Sequence, residues 1–476
     1  MKCNARPLAS VLAVGALLLP AAASAADEAS ALRAEIEALK KEVQELRGLV
    51  KGRIAESAPS PAPQPARSRD LSTTVLGATV TLYGTLNADA GTVERTGATV
   101  SATALNSLVG APGPTPSNQQ SRSILRSNSS NFGIRGSRPI AGGVSAVFQV
   151  ETSVAADGGS GTVGGRDSFL GLVGNFGSLL YGGNIDSPYK RAVQGKDPFF
   201  ATGIATQKGI LGSPGFNVTS VNAVAGTTIG GNAAGAQQQN AGWDARLNNL
   251  VMYRSPVLAG FSGEFAYGMN EQKTTSGINP TVISAVARYD RGPWFASYAY
   301  EEREDVFALN SLQTLVPGTG STGALFVPPA GASSKDSANK IGVGYKLFSS
   351  TDMLLVWESL KYTTSVGAVR EYERDAWVAS ANHRMGRHNA IVSYSKADQG
   401  NCSLATGTAC STKGLGAEQW ALGYVFNLDA STWLYAFWTQ IRNEEAAAYN
   451  FGVSGAPAAG VGADPKGLAL GVRYRF

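Results

Sequence analysis

The residues 467–476 alternate between large apolar side chains and small or cationic ones. One set reads Leu, Leu, Val, Tyr and Phe, and the intervening set reads Gly, Ala, Gly, Arg and Arg. A period of two residues is the period of a β-strand, because successive side chains point to opposite faces. This strand suits either a half-buried sheet of a soluble protein or a membrane barrel with lipid outside and water inside.

The same alternation returns along the chain from residue 78 onward. Each segment is close to the length of about 10 residues that a tilted strand needs to cross a bilayer. The pattern predicts sixteen strands, the first starting at 78 and the others at 126–136, 143–153, 166–174, 177–184, 246–255, 259–269, 281–290, 293–302, 338–348, 351–362, 371–384, 388–397, 417–427, 431–442 and 467–476.

The predicted connections alternate between long and short. Long segments lie at 91–125, 185–245, 303–337, 398–416 and 443–466, and tight turns lie at 175–176, 291–292, 349–350, 385–387 and 428–430. Long loops on one side and short turns on the other are typical of bacterial outer-membrane barrels. Tryptophans near strand ends indicate aromatic girdles at the two membrane interfaces: Trp294, Trp357, Trp377, Trp420 and Trp433.

The N-terminal segment 1–25 is predicted to be a secretory signal peptide. Lys2 and Arg6 precede an apolar run, and Ala23-Ser24-Ala25 supplies a small-residue cleavage site. Removing this segment takes away two cations and no acid, so the net charge falls from +5 to +3. That mild charge, on a secreted chain, argues against a nucleic-acid partner.

Segment 26–55 carries a heptad pattern. Leucines recur every seventh residue, and β-branched residues lie four positions after each: Leu32, Leu39 and Leu46, with Ile36, Val43 and Val50. This pattern predicts a short coiled coil, with a single amphipathic helix as the alternative. The proline-rich segment 56–77 predicts an extended linker, and 78–476 forms the barrel domain.

Cysteines and histidines are few in the mature chain. Cys402 and Cys410 lie eight residues apart, which favours a disulfide in an oxidising compartment, and no histidine is near them to suggest a metal site. His383 and His388 flank a predicted short turn, where histidines are mostly solvated. We therefore predict no enzyme activity, no metal and no cofactor.

Several blocks of the barrel domain resemble the trimeric general porins of Gram-negative bacteria. They are VTLYGTLNADAG (80–91), SNFGIRGSRPIAGGVSAVFQVE (130–151), RDSFLGLVGNFGSLLYGGN (166–184), RLNNLVMYRSPVLAGFSGEFAYG (246–268) and the terminal RYRF. The resemblance implies an all-β, 16-stranded antiparallel transmembrane barrel whose third loop folds inward. It also implies a homotrimer in the outer membrane, surrounded by lipid and lipopolysaccharide, through which small hydrophilic solutes and ions diffuse passively.

The third loop, 185–245, would then narrow the water-filled lumen. Its candidate constriction charges are Asp186, Lys190, Arg191, Lys196 and Asp197, for which solvated loop side chains are the alternative. Strand parity and the family pattern place further polar residues on the pore wall: Asp89, Arg135, Glu151, Arg246, Arg254 and Arg473. Cations facing acids across a lumen create a transverse field that favours polar solutes.

The chain departs from the family pattern at three lumen positions. Asn131, Asn184 and Met252 stand where the family often has arginine. The family frequently prefers anions, but because of these departures the resemblance leaves the choice between anions and cations open for this chain. The coiled-coil segment is also an addition to the usual pattern. It supports an alternative function, a structural protein that tethers the envelope by contacting peptidoglycan or a periplasmic partner.

Overall fold

The computed structural model describes residues 41, 44, 71–99, 118–155, 157–158, 161, 163–215, 242–269, 271, 273–313, 328–451 and 461–476. The chain divides into two compact units, 1–66 and 67–476. The signal peptide, the coiled coil and most of the linker lie outside the described residues, apart from Lys41 and Gln44, which are helical. They stay predictions.

The second unit is built almost entirely from antiparallel strands. They are β1 (Leu71–Val75), β2 (Ala78–Thr96), β3 (Gln119–Ser127), β4 (Asn131–Ala141), β5 (Val144–Ser153), β6 (Ser168–Gly174), β7 (Gly177–Gly183), β8 (Ile185–Asp186), β9 (Arg246–Leu247), β10 (Leu250–Arg254), β11 (Phe261–Gly268), β12 (Thr281–Arg291), β13 (Trp294–Glu304), β14 (Ser334–Leu347), β15 (Thr351–Thr364), β16 (Val369–Met385), β17 (His388–Ala397), β18 (Asn401–Leu404), β19 (Ala409–Cys410), β20 (Ala417–Asn427), β21 (Thr432–Asn443) and β22 (Asp464–Arg475). Two short α-helices, α1 (Pro188–Gln194) and α2 (Ala308–Gln313), and one 3₁₀ helix (Gln207–Gly209) accompany them. None of the helices in the described part of the chain has the length and apolar character needed to cross a membrane.

The sheet closes on itself where the last strand pairs with β2. Leu86 lies opposite Tyr474, and Ala90 lies opposite Leu470. Strands β3 and β4 both pair with β2 and so occupy one position in the wall. With β1, β18 and β19 as attachments to this sheet, the described residues form sixteen wall positions, which confirms the predicted 16-stranded antiparallel barrel.

The prediction that two segments, 126–136 and 246–255, are each one continuous strand is wrong. Each is interrupted by a residue in the left-handed backbone region. Ser129, with φ of 53°, separates β3 from β4, where 126–136 was expected to be continuous. Asn249, with φ of 49°, separates β9 from β10 within 246–255. Because a left-handed residue reverses the extended path of the chain, β9 leaves the wall and pairs with β8 inside the lumen.

Other boundaries also differ from the sequence prediction. Strand β2 extends to Thr96 and β3 starts at Gln119, so the loop predicted at 91–125 is shorter. Strand β1 lies within the predicted linker, 56–77, and pairs with β2. It does so because β22 pairs only as far as Thr85, which leaves the lower edge of β2 open for the β-branched segment 71–75.

The predicted alternation between outer and inner faces is confirmed in β22. Leu468, Leu470, Val472 and Tyr474 are 44–58% exposed on the outer face, whereas the intervening Ala469 is fully buried. Trp433 corrects the predicted girdle. Its neighbour Leu434 faces outward, so Trp433 faces the lumen, where the guanidinium of Arg473 lies 5.9 Å from its ring centroid.

The third loop folds into the barrel, as predicted. Ser187 caps α1 by accepting a hydrogen bond from the backbone N–H of Lys190, and Pro188 occupies the first turn, where a missing N–H costs nothing. The buried face of α1 packs against β12, β13 and β14. On the far side of the lumen, the Phe199 ring lies 5.2 Å from that of Phe437 on β21. The loop therefore crosses the lumen from wall to wall.

Candidate functional site

The stem of the third loop places opposite charges together inside the lumen. Asn184, with φ of 53°, turns the chain inward after β7, and the β8–β9 pairing sets Asp186 opposite Arg246. The Asp186 carboxylate lies 2.6 Å from the Lys190 ammonium and 3.2 Å from the Arg246 guanidinium. Both ends of the loop thus meet in one ion cluster.

Glu264 on β11 forms the centre of a second cluster. Its carboxylate contacts Arg191 of α1 at 3.2 Å, Arg254 of β10 at 3.5 Å and Arg288 of β12 at 2.6 Å. Three arginines around one carboxylate leave an excess of positive charge where the loop meets the wall.

Asp167, just before β6, joins the two clusters. It accepts a hydrogen bond from Arg246 and lies 3.6 Å from Arg191. We call the whole set the constriction network: Lys190, Arg191, Arg246, Arg254 and Arg288 with Asp167, Asp186 and Glu264. Five cationic side chains face three acidic ones, which gives a net charge of +2.

The loop groups of the constriction network influence each other's ionisation. Burial would raise the pKa of Asp186, but Lys190 and Arg246 hold it well below its usual range. Burial lowers the pKa of Lys190 to about 8, against the opposing effect of Asp186. Both groups are therefore charged at neutral pH, and Lys190 is the one whose charge a moderately alkaline pH removes.

Two of the predicted constriction residues lie apart from this network. Asp197 is turned into the loop itself, where its carboxylate accepts hydrogen bonds from the Thr206 hydroxyl at 2.8 Å and from the Phe199 N–H at 3.0 Å. Burial raises its pKa despite these donors. Lys196 forms an exposed ion pair with Asp290 at 2.6 Å. Asp197 thus shapes the loop, and Lys196 reaches a different part of the wall.

The predicted acids of the wall have local partners. Asp89 contacts Arg126 on β3 at 2.7 Å and accepts a hydrogen bond from the Tyr435 hydroxyl at 3.1 Å. Glu151 forms an ion pair with Arg166 and accepts a hydrogen bond from the Tyr83 hydroxyl at 3.0 Å.

The predicted cations of the wall fall into two groups. Arg246 and Arg254 belong to the constriction network, although Arg246 lies on β9 rather than on a wall strand. Arg135 and Arg473 lie over aromatic rings, at 4.8 Å from the Tyr83 centroid and 4.6 Å from the Phe200 centroid.

A buried cluster, which we call the loop anchor, fixes the third loop to the wall and was not predicted from the sequence. It consists of Lys340, Glu358 and Arg374, all fully buried. Glu358 accepts hydrogen bonds from the Tyr189 hydroxyl and the Gly212 N–H, each at 2.8 Å. The other two members contact Glu358 at 3.3 and 3.1 Å. The anchor thus holds the loop at two separate points.

Strand parity was the signal that could have found these residues. On β11, Phe265 is 46% exposed on the outer face, so Glu264 beside it faces inward. The same step from the outward Trp357 identifies Glu358. What parity does not reveal is which inward charges meet, because that depends on the path of the loop.

The cysteine prediction is confirmed. Cys402 on β18 and Cys410 on β19 lie opposite each other in register and form a disulfide. This hairpin also pairs with the upper part of β16. The disulfide therefore closes a structured loop rather than a metal site.

Comparison with known proteins identifies the family. A family model described as Gram-negative porin matches residues 12–446. Outer membrane porin protein 32 of Delftia acidovorans is 26% identical over 356 residues, which are 73% of this chain and 85% of that protein. The major outer membrane protein P.IA of Neisseria meningitidis (strain H44/76) is 36% identical over 98 residues, 19% of this chain and 25% of that protein.

Solved structures share the fold. The anion-selective porin from Comamonas acidovorans aligns with a TM-score of 0.60 and 22% identity, covering 84% of this chain and all of that one. The trimer form of in-vitro folded OmpT of Vibrio cholerae aligns with a TM-score of 0.52 and 14% identity, again over 84% and 100% of the two chains. The closed barrel, the inward loop and the family match together establish that this chain belongs to the Gram-negative porin family and forms a diffusion channel in the outer membrane.

Proposed function

We propose that the channel favours small hydrophilic anions over cations, and that the constriction network sets this preference. The observation that carries the proposal is the excess of two positive charges in that network. Fixed charges that line a channel attract ions of opposite sign and repel ions of the same sign. The porin from Comamonas acidovorans, which shares this fold, is anion-selective, which supports the same direction here.

The three family arginines that this chain lacks do not contradict the proposal. Asn131, Asn184 and Met252 occupy those positions. Arg191 on the loop and Arg288 on β12 instead bring positive charge into the lumen beside Glu264. The positive excess therefore has a different source in this chain.

Reversal potentials of the purified channel under a KCl gradient test this proposal. We expect chloride to be favoured, and we expect Arg288→Gln to reduce that preference because it removes one unit of network charge. Arg291→Gln is the matched control, since Arg291 is the exposed last residue of β12. A cation-favouring wild type, or an equal change in both variants, would contradict the proposal.

We also infer that three copies assemble in the membrane and that transport requires no chemistry. The trimer form of a structural neighbour supports the assembly. His383 and His388 are exposed and hydrogen bond to Thr351 and Tyr424 rather than to a nucleophile in a cleft. Chemical cross-linking of the folded protein tests the trimer: a product no larger than a dimer would exclude it.

A tethering role for segment 26–55 is compatible with transport. In this role, segment 26–55 would bind peptidoglycan or a periplasmic protein. The barrel itself would contact lipid and lipopolysaccharide. Co-sedimentation of the full chain with purified peptidoglycan tests it, and absence of binding above that of a 67–476 variant would remove it.

A further inference from the structure

The lumen holds a second surface, part polar and part apolar, which is formed by strands of the barrel wall. A cavity of about 290 Å³ lies against the inner face of β2, β4, β5, β6, β7 and β10. Arg135 lies in its lining on one side and Arg254 on another, and its floor between them is formed by Val147, Phe169, Val173 and Leu180. This volume is at the lower end of the roughly 300–1,000 Å³ that small-molecule sites occupy.

Strand register shows that this floor faces the lumen. Arg135 lies opposite Gln149, which lies opposite Phe169. The residues beside them, Ile134 and Leu170, are 43% and 65% exposed on the outer face. Since neighbours along a strand face opposite sides, Arg135 and Phe169 both face inward.

The floor is more apolar than a route for small hydrated ions requires. Val173 keeps 37% of its surface exposed on this inner face, while Val147 and Phe169 are only half-buried. Exposed apolar surface inside a water-filled lumen is unfavourable unless a solute covers it, because each Å² removed from water contributes about 25 cal/mol. The cavity therefore offers hydrophobic contact as well as charge.

From this arrangement we propose that the cavity binds organic monocarboxylates with an apolar body, such as an aromatic acid. The carboxylate would lie at Arg135, whose guanidinium is held 4.8 Å from the Tyr83 ring centroid. The apolar body would cover Val147 and Phe169. Phe169 lies two strand spacings from Arg135, roughly 10 Å, which a small aromatic acid and an extended arginine side chain can span together.

This site deepens the anion preference proposed above, but it is formed by different residues from most of the constriction network. It predicts that an aromatic acid dwells in the lumen, whereas a small acid of equal charge passes through. An arginine–carboxylate contact together with apolar burial supplies affinity that the charge alone lacks.

Single-channel recordings in KCl with added sodium benzoate or sodium acetate test the site. Benzoate should reduce the chloride current saturably, and acetate at equal concentration should not. Arg135→Gln should raise the half-blocking benzoate concentration about tenfold, since a hydrogen bond to a charged group is worth roughly that much. Val147→Ser should weaken the benzoate block with little change in chloride conductance.

Arg138→Gln is the matched control. Arg138 lies three residues from Arg135 on the same strand but on the outer face, so the benzoate block should be unchanged. Equal effects of benzoate and acetate, or an undiminished block in both Arg135→Gln and Val147→Ser, would overturn the proposal. Because Arg288→Gln tests the constriction network through reversal potentials, failure of one proposal is distinguishable from failure of the other.

Discussion

Single residues in this lumen act through the partners that the fold gives them. Lys190 is predicted from the sequence as a constriction charge, but its ionisation depends on burial beside Asp186 and Arg246. Asp197, predicted for the same role, instead satisfies N–H groups of its own loop. Two loop residues with the same predicted role therefore have different consequences for a passing ion.

The lowered pKa of Lys190 leads to a prediction about pH. Since burial lowers this pKa to about 8, raising the pH from neutral through that value removes one positive charge from the constriction network. We expect the chloride preference, measured as reversal potential in a KCl gradient, to fall over this range. An ordinary lysine would keep its charge to about pH 10.

Lys190→Gln is the test of that assignment. This variant should show the weaker chloride preference already at neutral pH and no further step near pH 8. If the wild type and the variant change in parallel with pH, another group is responsible.

At the scale of elements, the third loop owes its position to buried contacts with strands distant in sequence. Glu358 on β15 meets Tyr189 of α1, and Arg374 on β16 donates to the Ile210 carbonyl at 3.1 Å. Removing one partner from a buried ion cluster leaves the others uncompensated, which costs about 3–5 kcal/mol. The anchor therefore contributes to holding the loop in the lumen.

Glu358→Gln should release the loop. We expect faster chymotrypsin cleavage within the third loop and larger fluctuations of the single-channel current, because Lys340 and Arg374 lose their shared anion. Glu371→Gln is the control: this acid on the neighbouring strand β16 is partly exposed and pairs with Lys361, outside the anchor, so both measurements should stay unchanged. A loop equally resistant in the two variants would show that the anchor is dispensable.

Barrel closure depends on a close approach between β2 and β22. A Cβ atom placed on Gly91 would overlap the carbonyl oxygen of Leu468. Gly91→Ala should therefore destabilise the barrel by about 1–3 kcal/mol, the typical cost of overpacking. Gly263→Ala is the control, because the nearest atom to its new Cβ lies at 3.5 Å. Urea unfolding in lipid vesicles measures both, and equal stability of the two variants would contradict this view of the closure.

At the scale of the whole molecule, the pore belongs to the unit 67–476. That unit contains the closed sheet, the third loop and its anchor. Deleting residues 26–66 while keeping the signal segment should therefore leave the single-channel conductance unchanged. A folded deletion variant with an altered conductance would make the N-terminal unit part of the transport path.

The sequence by itself determined the barrel. A period of two fits a soluble half-buried sheet as well, but its repetition at bilayer-spanning length, with long loops alternating with short turns, indicates a closed membrane barrel. The even strand number, the sorting of loops by length and the facing of Asp89 and Glu151 followed from that pattern, whereas the facing of Arg254 came from the family resemblance. It failed at Ser129 and Asn249, where a left-handed backbone interrupts a run that reads as continuous.

Only the tertiary structure decided how the lumen is divided. Glu264 and Glu358 face inward by parity alike, yet one lies in the constriction network and the other in the loop anchor. The difference arises because α1 and the segment after it approach these strands across the lumen, over sequence separations that local pattern does not encode. The path of the third loop across the lumen decides which distant charged side chains pair. It therefore also decides where in the lumen the net charge is positive.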